Sequence, residues 1–354
     1  MILPPLPAWN DAAEAAALAH LDQLTKPPGS LGRLEALGAW LSGVTGSFPA
    51  ATPDRARLYT FAADHGVTAE GVSPYPSAVT VQMVHNFLAG GAAVNAFARH
   101  YGVELVVVDV GVADPLAGAA TSESAELIRA KVRPGTGNMA RELAMSRAEA
   151  EAAVQVGIDC ARAAASQGIR LLGAGEMGIG NTTAAAACLS AVAGMPAKLT
   201  AGRGTGVDDA GLKRKIATID QAIALHRPDR DDAIGILSAV GGLEIAAIAG
   251  LCLGGAATGV PVFLDGFIST AGGMLANVLQ PGAARWFQIS HKSAENAHWA
   301  MSRMLGREPL YDLDMRLGEG VGAVMGMDAA RLSLFVMAKM ATFASAGVSG
   351  KAEE

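Results

Sequence analysis

Residues 169–194 read IRLLGAGEMGIGNTTAAAACLSAVAG, and this stretch contains the local pattern that decides the fold. Its apolar start, Ile169 to Leu172, predicts a short buried strand. Glycines follow at 173, 175, 178 and 180, and an alanine-rich segment from Thr182 to Ala193 is long enough for a helix. This order predicts an anion site, such as a phosphate site, because the first N–H groups of a helix are unpaired and lie at its positive end.

The same alternation extends along the chain in both directions. Short apolar runs at Leu58 to Ala63, Val103 to Val110 and Val260 to Leu264 each lead into Gly or Asp. Each is followed by a helix-length segment, which predicts parallel strands joined by crossover helices. We therefore expect an α/β fold with a doubly wound, mostly parallel sheet flanked by helices. The expected helices are Ala78 to His100, Arg147 to Gln167, Thr182 to Ala193, Gly211 to Leu225 and Ala294 to Leu305.

The two ends of the chain are predicted to form a smaller helical unit. Helical patterns cover Asp11 to Leu24 and Leu31 to Leu41, and the last sixty residues are helical in pattern with no obvious strand. We expect a large Rossmann-like catalytic domain at 55–300 and a small helical domain made of 1–54 and 301–354. The charged and turn-rich stretch from Thr121 to Ser146 is expected to be a surface excursion.

Composition limits the classes of function. The chain has 354 residues, of which 51% are hydrophobic and 17% charged, as in a packed globular protein. A net charge of −6 without a basic cluster argues against nucleic-acid or anionic-membrane partners. Three widely spaced cysteines in apolar runs, and a start without the pattern of an export signal, favour the cytoplasm.

The uncharged run from Ile245 to Leu264 is long enough to cross a bilayer, but it contains five Gly or Pro residues. It therefore predicts a buried helix and strand rather than a membrane span.

A second glycine loop strengthens the prediction of an anion site. GRGTG (202–206) precedes Asp208 and Asp209, a typical N-cap pair, and the helix that follows carries Lys215. Two such loops at the carboxyl ends of neighbouring strands face one crevice. Lys215 is either a phosphate ligand or a solvated helix lysine, and both interpretations stay open.

The first loop also satisfies the dinucleotide-binding pattern G-x-G-x-x-G at 173–178. This pattern raises the alternative of an oxidoreductase with a nucleotide cofactor. Against it, the acidic residue expected about twenty positions downstream is missing. The chain has MPAKLTAGRGTG (195–206) there.

A carboxylate between glycines, Glu319 in RLGEGVG (316–322), is the candidate general base. If it lies against Leu317, Met315 and Met177, the loss of solvation raises its pKa and makes it a better base near neutral pH. A Gly-Glu-Gly surface turn is the other interpretation. The seven histidines have no HExxH spacing and the cysteines form no C-x-x-C pair, so we expect no metal site.

These motifs resemble those of the nicotinate-nucleotide:dimethylbenzimidazole phosphoribosyltransferase family, in the same order and nearly end to end. The resemblance implies transfer of the phosphoribosyl group of nicotinate mononucleotide to 5,6-dimethylbenzimidazole, which gives α-ribazole 5′-phosphate and nicotinate for cobalamin nucleotide-loop assembly. The matching segments are TKPPGSLGRLE (25–35), ADHGV (63–67) with Gln82 downstream, GEMGIGNTT (175–183), GRGTGVDD (202–209), FLDGFIS (263–269), SHKSAE (290–295) and RLGEGVGA (316–323).

The resemblance also implies roles for individual residues. Glu319 matches the catalytic base, and Glu176 and Gln82 match residues of the base pocket, where Met177 and Leu317 are also expected. A pocket serine is either Ser73 or Ser77. The phosphate and ribose are expected at Gly178, Gly180, Asn181, Thr182, Gly204 and Lys215. No cofactor or metal is expected, and the resemblance implies a homodimer.

Two other functions are compatible with the sequence. One is a nucleotide-cofactor oxidoreductase that uses Gly173, Gly175 and Gly178, and it requires binding of NAD(P)H. The other is a non-catalytic protein of the same fold that binds a base or nucleotide without turnover. Which azole base is preferred does not follow from the sequence.

Overall fold

The computed structural model describes residues 1–350, and its centre is a sheet of six parallel strands. The order across the sheet is β3-β2-β1-β4-β5-β6, which confirms the expected doubly wound α/β fold. The chain moves outward from β1 to β3 and then crosses to β4, so the connections after β1 and β4 diverge and leave a crevice at the carboxyl ends of these strands. The strands are β1 (Ala56–Ala63), β2 (Glu104–Gly111), β3 (Glu126–Arg129), β4 (Leu171–Met177), β5 (Val262–Leu264) and β6 (Phe287–Ile289).

Helices cover both faces of this sheet. Within residues 1–350 they are α1 (Asp11–Gln23), α2 (Arg33–Thr45), α3 (Val79–Ala89), α4 (Ala93–Tyr101), α5 (Arg147–Ser166), α6 (Asn181–Ala193), α7 (Ala197–Thr200), α8 (Asp209–His226), α9 (Ala233–Val240), α10 (Leu243–Thr258), α11 (Phe267–Leu279), α12 (His298–Leu305), α13 (Val321–Lys339) and α14 (Phe343–Ala346). Two short 3₁₀ helices lie at Gly66–Glu70 and Ala283–Trp286, and a small parallel pair joins β7 (His291–Lys292) to β8 (Tyr311–Asp312).

The prediction of one helix from Ala78 to His100 was wrong. Gly90 has a φ of 81°, in the left-handed region, and ends α3. The chain restarts as α4, where the Asn95 side chain accepts a hydrogen bond from the backbone N–H of Ala92 at 3.1 Å. This break creates an additional helix N-terminus beside the crevice.

The sequence pattern also missed several short strands. The stretch interpreted as a surface excursion contains β3, and the last sixty residues contain β8. β3 has four residues and β8 two, and neither lies in a longer apolar run of the kind that revealed β5. The predicted helix Ala294 to Leu305 begins only at His298.

Side chains of β1 alternate between two cores. Tyr59 and Phe61 belong to the core on the side of α5 and α10. Leu58 and Ala62 belong to the core on the side of α13. Thr60 lies between Leu58 and Ala62 on the same face of β1, the face toward α13, and it is fully buried. It therefore places a hydroxyl on a largely apolar face of the sheet.

The terminal helices share this second core with the sheet. The Ser333 hydroxyl on α13 donates to the Leu34 carbonyl on α2 at 2.6 Å, and α13 packs on β4 and β5. By length and composition α13 could cross a bilayer, but most of it is buried in the fold, as in a core helix. The division into a large domain and a small helical one stays a prediction.

Candidate functional site

A cleft of about 660 Å³ opens at the carboxyl ends of the strands. Its walls are the segments that follow β4, β5 and β6, the face of α3, and the loop 316–319 before α13. This is the crevice where doubly wound α/β folds bind their ligands. The two glycine loops and the Gly-Glu-Gly segment of the sequence meet here.

The first glycine loop joins β4 to α6. A Cβ atom on Gly178 would lie 3.2 Å from the His65 ring and against the main chain of β1, so only glycine fits. Gly180 has a φ of 99° and directly precedes α6. The N–H of Ile179 donates to the Thr80 hydroxyl at 3.1 Å, which fixes the loop to α3. The N-terminus of α6 thereby borders the cleft at Asn181.

The second glycine loop contributes Gly204, and Lys215 lies behind it. The Lys215 Nζ atom donates to the Thr182 hydroxyl at 2.7 Å, and its side chain is 1% exposed. Burial lowers the pKa of Lys215 to about 8, although the charge of Glu295 opposes this shift. The second interpretation of Lys215, a solvated helix lysine, was wrong, because α8 presents this side chain inward. An anion at the α6 N-terminus would meet the N–H and the hydroxyl of Thr182, the positive end of the helix and a nearby ammonium group.

Two side chains form hydrogen bonds with the backbone of Gly204 in the second glycine loop. Glu295 accepts a hydrogen bond from the Gly204 N–H at 2.7 Å. Arg316 donates to the Gly204 carbonyl at 3.2 Å.

Asp208 caps α8, because its side chain accepts a hydrogen bond from the Gly211 N–H at 2.7 Å. This confirms its predicted role as a helix cap.

Glu319 lines the cleft from the loop before α13 and is 6% exposed. Its Oε2 atom accepts a hydrogen bond at 3.0 Å from the N–H of Val94, in the first turn of α4. Burial raises the pKa of Glu319; the Val94 N–H opposes this shift and the charge of Asp265 adds to it. The interpretation as an exposed Gly-Glu-Gly turn was wrong, because the loop folds over the sheet.

Glu176, the penultimate residue of β4, lies beside Glu319 in the same wall. The Asn181 amide donates to its Oε2 atom, and Gly318 packs against its Oε1 atom with no room for a Cβ. Burial, followed by the charges of Asp265 and Glu244, raises the pKa of Glu176 well above its usual value. This carboxyl group therefore favours its protonated, uncharged form near neutral pH.

A buried Asp-His pair supports the loop that carries Glu319. Asp265 accepts hydrogen bonds from the N–H groups of Gly320 at 3.0 Å and Gly322 at 2.7 Å, and it caps α13. The His291 Nε2 atom lies 3.3 Å from its Oδ1 atom. Burial disfavours the charged imidazole, but the hydrogen bond to Asp265 and its charge outweigh burial and raise the pKa of His291.

Comparison with known proteins assigns the family. A family model described as "Phosphoribosyltransferase" matches residues 6–348. The chain belongs to this phosphoribosyltransferase family. The chain is 51% identical over 344 residues to nicotinate-nucleotide–dimethylbenzimidazole phosphoribosyltransferase of Roseiflexus sp. (strain RS-1), covering 97% of this chain and 96% of the relative. It is 49% identical over 349 residues to the protein of the same name from Chloroflexus aggregans, with the same coverage.

Solved structures agree with this family assignment. The crystal structure of CobT from Thermus thermophilus aligns with a TM-score of 0.90 and 44% identity, covering 96% of this chain and all of that chain. A second structure from the same organism, of nicotinate-nucleotide-dimethylbenzimidazole phosphoribosyltransferase, aligns with a TM-score of 0.88 and 43% identity, covering 97% of this chain and all of that chain. The phosphoribosyltransferase fold therefore extends over nearly all of the chain.

Most of the residues predicted for the site line the cleft of this phosphoribosyltransferase. Three of them do not line the cleft. Gly180 and Lys215 lie behind the residues that form its wall. Gln82 is exposed on α3, between the lining residues Val79 and Met83. The predicted residues that line the cleft are Glu176, Met177, Gly178, Asn181, Thr182, Gly204, Leu317 and Glu319. Their individual roles stay predictions.

Neither candidate pocket serine lines the cleft. The Ser77 hydroxyl donates to Asp64 at 3.1 Å, and the Ser73 hydroxyl accepts from the Tyr75 N–H at 3.2 Å. The choice between them stays open. Tyr75 itself borders the cleft.

Sequence reasoning did not single out several lining residues. Asp265 and His291 follow β5 and β6, and both belong to segments that carry the family resemblance, so their position after strands was an available signal. The others come together only through the fold. The additional polar lining residues are Tyr75, Thr205, Ser269, Ser293, Glu295 and Arg316.

The dinucleotide pattern at 173–178 has a different explanation. Gly173 and Gly175 lie inside β4, not in the turn that follows it. A Cβ on Gly173 would lie 2.8 Å from Leu58 and 2.9 Å from Met327, and Gly175 faces the main chain at Glu319. These glycines let the α13 region approach the sheet, and they do not face a ligand.

Among residues 1–350 no group of three or more His, Cys, Asp or Glu side chains is placed to hold a metal ion.

Proposed function

We propose that this phosphoribosyltransferase moves the phosphoribosyl group of nicotinate mononucleotide to 5,6-dimethylbenzimidazole, giving α-ribazole 5′-phosphate and nicotinate. The names of the relatives support this reaction. The single observation that carries the assignment to this cleft is that it combines a helix N-terminus at a glycine loop, with a buried lysine behind it, and two carboxyl groups whose pKa values are raised by burial.

The helix N-terminus and the buried lysine suit the 5′-phosphate of the nucleotide. Among the first amides of α6, those of Asn181, Thr183 and Ala184 donate to the carbonyl groups of Gly178 or Gly180, which leaves the N–H and the hydroxyl of Thr182 for a phosphate. Lys215 supplies a positive charge behind that hydroxyl, within hydrogen-bonding distance of it. Gly178 and Gly204 bring main chain close to the ligand without side chains in the way.

The two carboxyl groups suit the incoming base. One nitrogen of the benzimidazole attacks C1′ of the ribose, and the other nitrogen loses its proton. Glu319 takes this proton, because Val94 engages only one of its carboxylate oxygens and burial has raised its basicity. Nicotinate leaves with the electrons of its bond to C1′, which neutralises its ring nitrogen, so departure requires no proton donor.

Glu176 is proposed to bind the base rather than to react with it. In its protonated form it offers a hydrogen-bond donor next to Glu319, and Asn181 holds its other oxygen. Met177 and Leu317 supply apolar surface for the flat ring at the same wall. Gln82, one turn along α3 from the lining residue Val79, is proposed to reach the base from the edge of the cleft.

The remaining parts of the proposal concern assembly and location. We propose a homodimer in the cytoplasm that works on small molecules, without a nucleic-acid or membrane partner. The net charge of −6 and the family resemblance support this, and no metal or cofactor enters the chemistry. Sedimentation of the purified protein tests the dimer, and a monomer at working concentration would contradict it.

Incubation of the purified protein with nicotinate mononucleotide and 5,6-dimethylbenzimidazole tests the reaction. Chromatography should show α-ribazole 5′-phosphate and nicotinate appearing in equal amounts. Ligand binding with no turnover would instead support a non-catalytic binding protein. Binding of NAD(P)H with no phosphoribosyl transfer would support the oxidoreductase alternative.

A further inference from the structure

The backbone at Glu319 adopts an unfavourable conformation. Its φ is 65°, in the left-handed region that residues with a side chain rarely occupy. The glycines on either side, Gly318 and Gly320, also have positive φ values, of 85° and 106°. A non-glycine residue keeps such a conformation only when its surroundings impose it.

The peptide unit between Glu319 and Gly320 is bonded at both of its polar ends. The Thr60 hydroxyl in β1 donates to the Glu319 carbonyl oxygen at 2.8 Å. The Gly320 N–H donates to the Asp265 carboxylate, directly after β5, at 3.0 Å. Hydrogen bonds on opposite sides prevent this peptide from rotating.

The strand between β1 and β5 provides the surface on which this peptide rests. Gly175 in β4 is the register partner of Thr60 in β1. A Cβ on Gly175 would collide with the Glu319 carbonyl group, so the loop contacts the strand backbone directly. Thr60, Gly175 and Asp265 thus form a pedestal across three neighbouring strands.

The Thr60 hydroxyl lies in an otherwise apolar part of the core, and its hydrogen bond to Glu319 is the reason that it can be buried there. Thr60 is fully buried, and its neighbours on the same face of β1, Leu58 and Ala62, belong to the core packed against α13. A buried hydroxyl in such a place destabilises a fold unless it is hydrogen-bonded. Its bond goes to the backbone of the proposed catalytic residue.

We propose that Thr60 is a positioning residue that, with Gly175 and Asp265, fixes the carboxylate of Glu319 for proton removal. This inference rests on the proposed function. Without the Thr60 bond, the peptide can relax toward ordinary φ values, which moves the Glu319 side chain relative to the cleft. Misplacement by a fraction of an ångström affects the chemical step more than the binding of a distant phosphate.

Thr60→Val and Thr60→Ser test the inference, because valine preserves shape without the hydroxyl and serine restores it. We expect Thr60→Val to lower kcat about ten-fold with less than about two-fold change in KM for nicotinate mononucleotide, and Thr60→Ser to restore most of kcat. Ser42→Ala removes another fully buried hydroxyl, which donates to the Gly38 carbonyl in α2, and it serves as the control. Wild-type kcat in Thr60→Val would overturn the inference.

A double-mutant cycle separates positioning from general stability. If Thr60 acts through Glu319, Thr60→Val should lower kcat no further in a Glu319→Gln background. An equal loss in both backgrounds would show that Thr60 acts in another way, and would overturn the inference.

Hydrogen exchange of the segment 316–322 gives a readout that does not depend on the reaction. Its amides should exchange faster in Thr60→Val than in the wild type or in Ser42→Ala. Unchanged exchange would overturn the inference even if turnover fell. Absence of transfer in the wild type together with faster exchange in Thr60→Val would refute the proposed function and leave the pedestal supported.

Discussion

The glycine loops contribute the α6 N-terminus, the Thr182 hydroxyl and one buried amine to the cleft, whereas the end of β4 and the loop 316–319 contribute two buried carboxyl groups, Glu176 and Glu319. The first group is built mainly from main chain at a helix N-terminus, which holds charge without a change in protonation. The second group depends on carboxyl groups whose pKa values are raised by burial. The contrast supports the proposal that the first group binds the nucleotide and the second carries out the chemistry.

The two carboxyl groups, Glu319 and Glu176, differ in the neighbouring groups that favour or disfavour their ionisation. Glu319 receives a hydrogen bond from a helix N-terminus, which favours its ionised form. Burial, followed by the charges of Asp265 and Glu244, disfavours ionisation of Glu176, and this outweighs the hydrogen bond from the Asn181 amide. This difference supports the proposed roles of Glu319 as the base and Glu176 as a neutral hydrogen-bonding group.

Replacement of Glu319 should have the largest effect. Glu319→Gln removes the proton acceptor with little change of shape, and kcat should fall by about 10²- to 10⁴-fold while both substrates still bind. Steady-state kinetics with both substrates measures this change. The control is Glu308→Gln, at an exposed glutamate, which should retain wild-type kcat. A wild-type kcat in Glu319→Gln would contradict the assignment of the base.

Replacement of Lys215 should act on the group at the glycine loops. Lys215→Met keeps most of the buried volume and removes a charge-assisted contact of about 1.5 to 3 kcal/mol, so KM for nicotinate mononucleotide should rise about 10- to 100-fold. The KM for the base should change less. Lys213→Met, at an exposed lysine on the same helix, is the matched control. Equal effects of Lys215→Met on both KM values would remove the distinction between the two groups.

The pH dependence of kcat/KM gives a second test of Lys215. A pKa of about 8 means that the amine is charged below this pH and neutral above it. The kcat/KM for nicotinate mononucleotide should therefore fall as the pH rises through about 8, and Lys215→Met should lack this fall. The same fall in the variant would assign it to another group.

Glu176→Gln should have a smaller effect than Glu319→Gln. Because the raised pKa keeps Glu176 protonated near neutral pH, an amide replaces it without loss of charge, and kcat should stay within about ten-fold of the wild type. Glu176→Leu removes the hydrogen-bonding group and should weaken binding of the base. If Glu176→Gln abolishes turnover while Glu319→Gln does not, the two roles are exchanged.

Removal of metal should have the smallest effect. Neither group needs a cation in the proposed chemistry, so incubation with EDTA should change kcat by less than about two-fold. Loss of turnover that returns on addition of a divalent cation would identify a metal requirement that the proposed mechanism lacks.

The sequence predicted those parts of the fold whose signal is local. The runs at β1, β2, β4 and β5 are apolar and lead into Gly or Asp, and each was found. The edge strand β3, with the sequence ELIR, has two partly exposed apolar residues between two exposed charged ones and shows no longer apolar run. The break between α3 and α4 depends on the Gly90-Gly91 pair, which the continuous helical pattern around it concealed.

The same distinction applies to the site. The glycine loops and Glu319 were predictable because each motif lies in consecutive residues. Val94, Asp265 and Thr60 contact the Glu319 loop from three distant parts of the chain, and only the folded sheet brings them together. Burial of Lys215 likewise depends on how α8 packs against α6, because the sequence around it reads as an ordinary charged helix.

The pH dependence of kcat at saturating substrates, compared between the wild type and Glu319→Gln, tests the central claim most directly. A general base acts only when deprotonated, so wild-type kcat should fall as the pH drops through the raised pKa of Glu319, beginning above the usual range for a glutamate. The residual kcat of Glu319→Gln should lack this limb. An identical acidic limb in both proteins would contradict the assignment of Glu319 as the base.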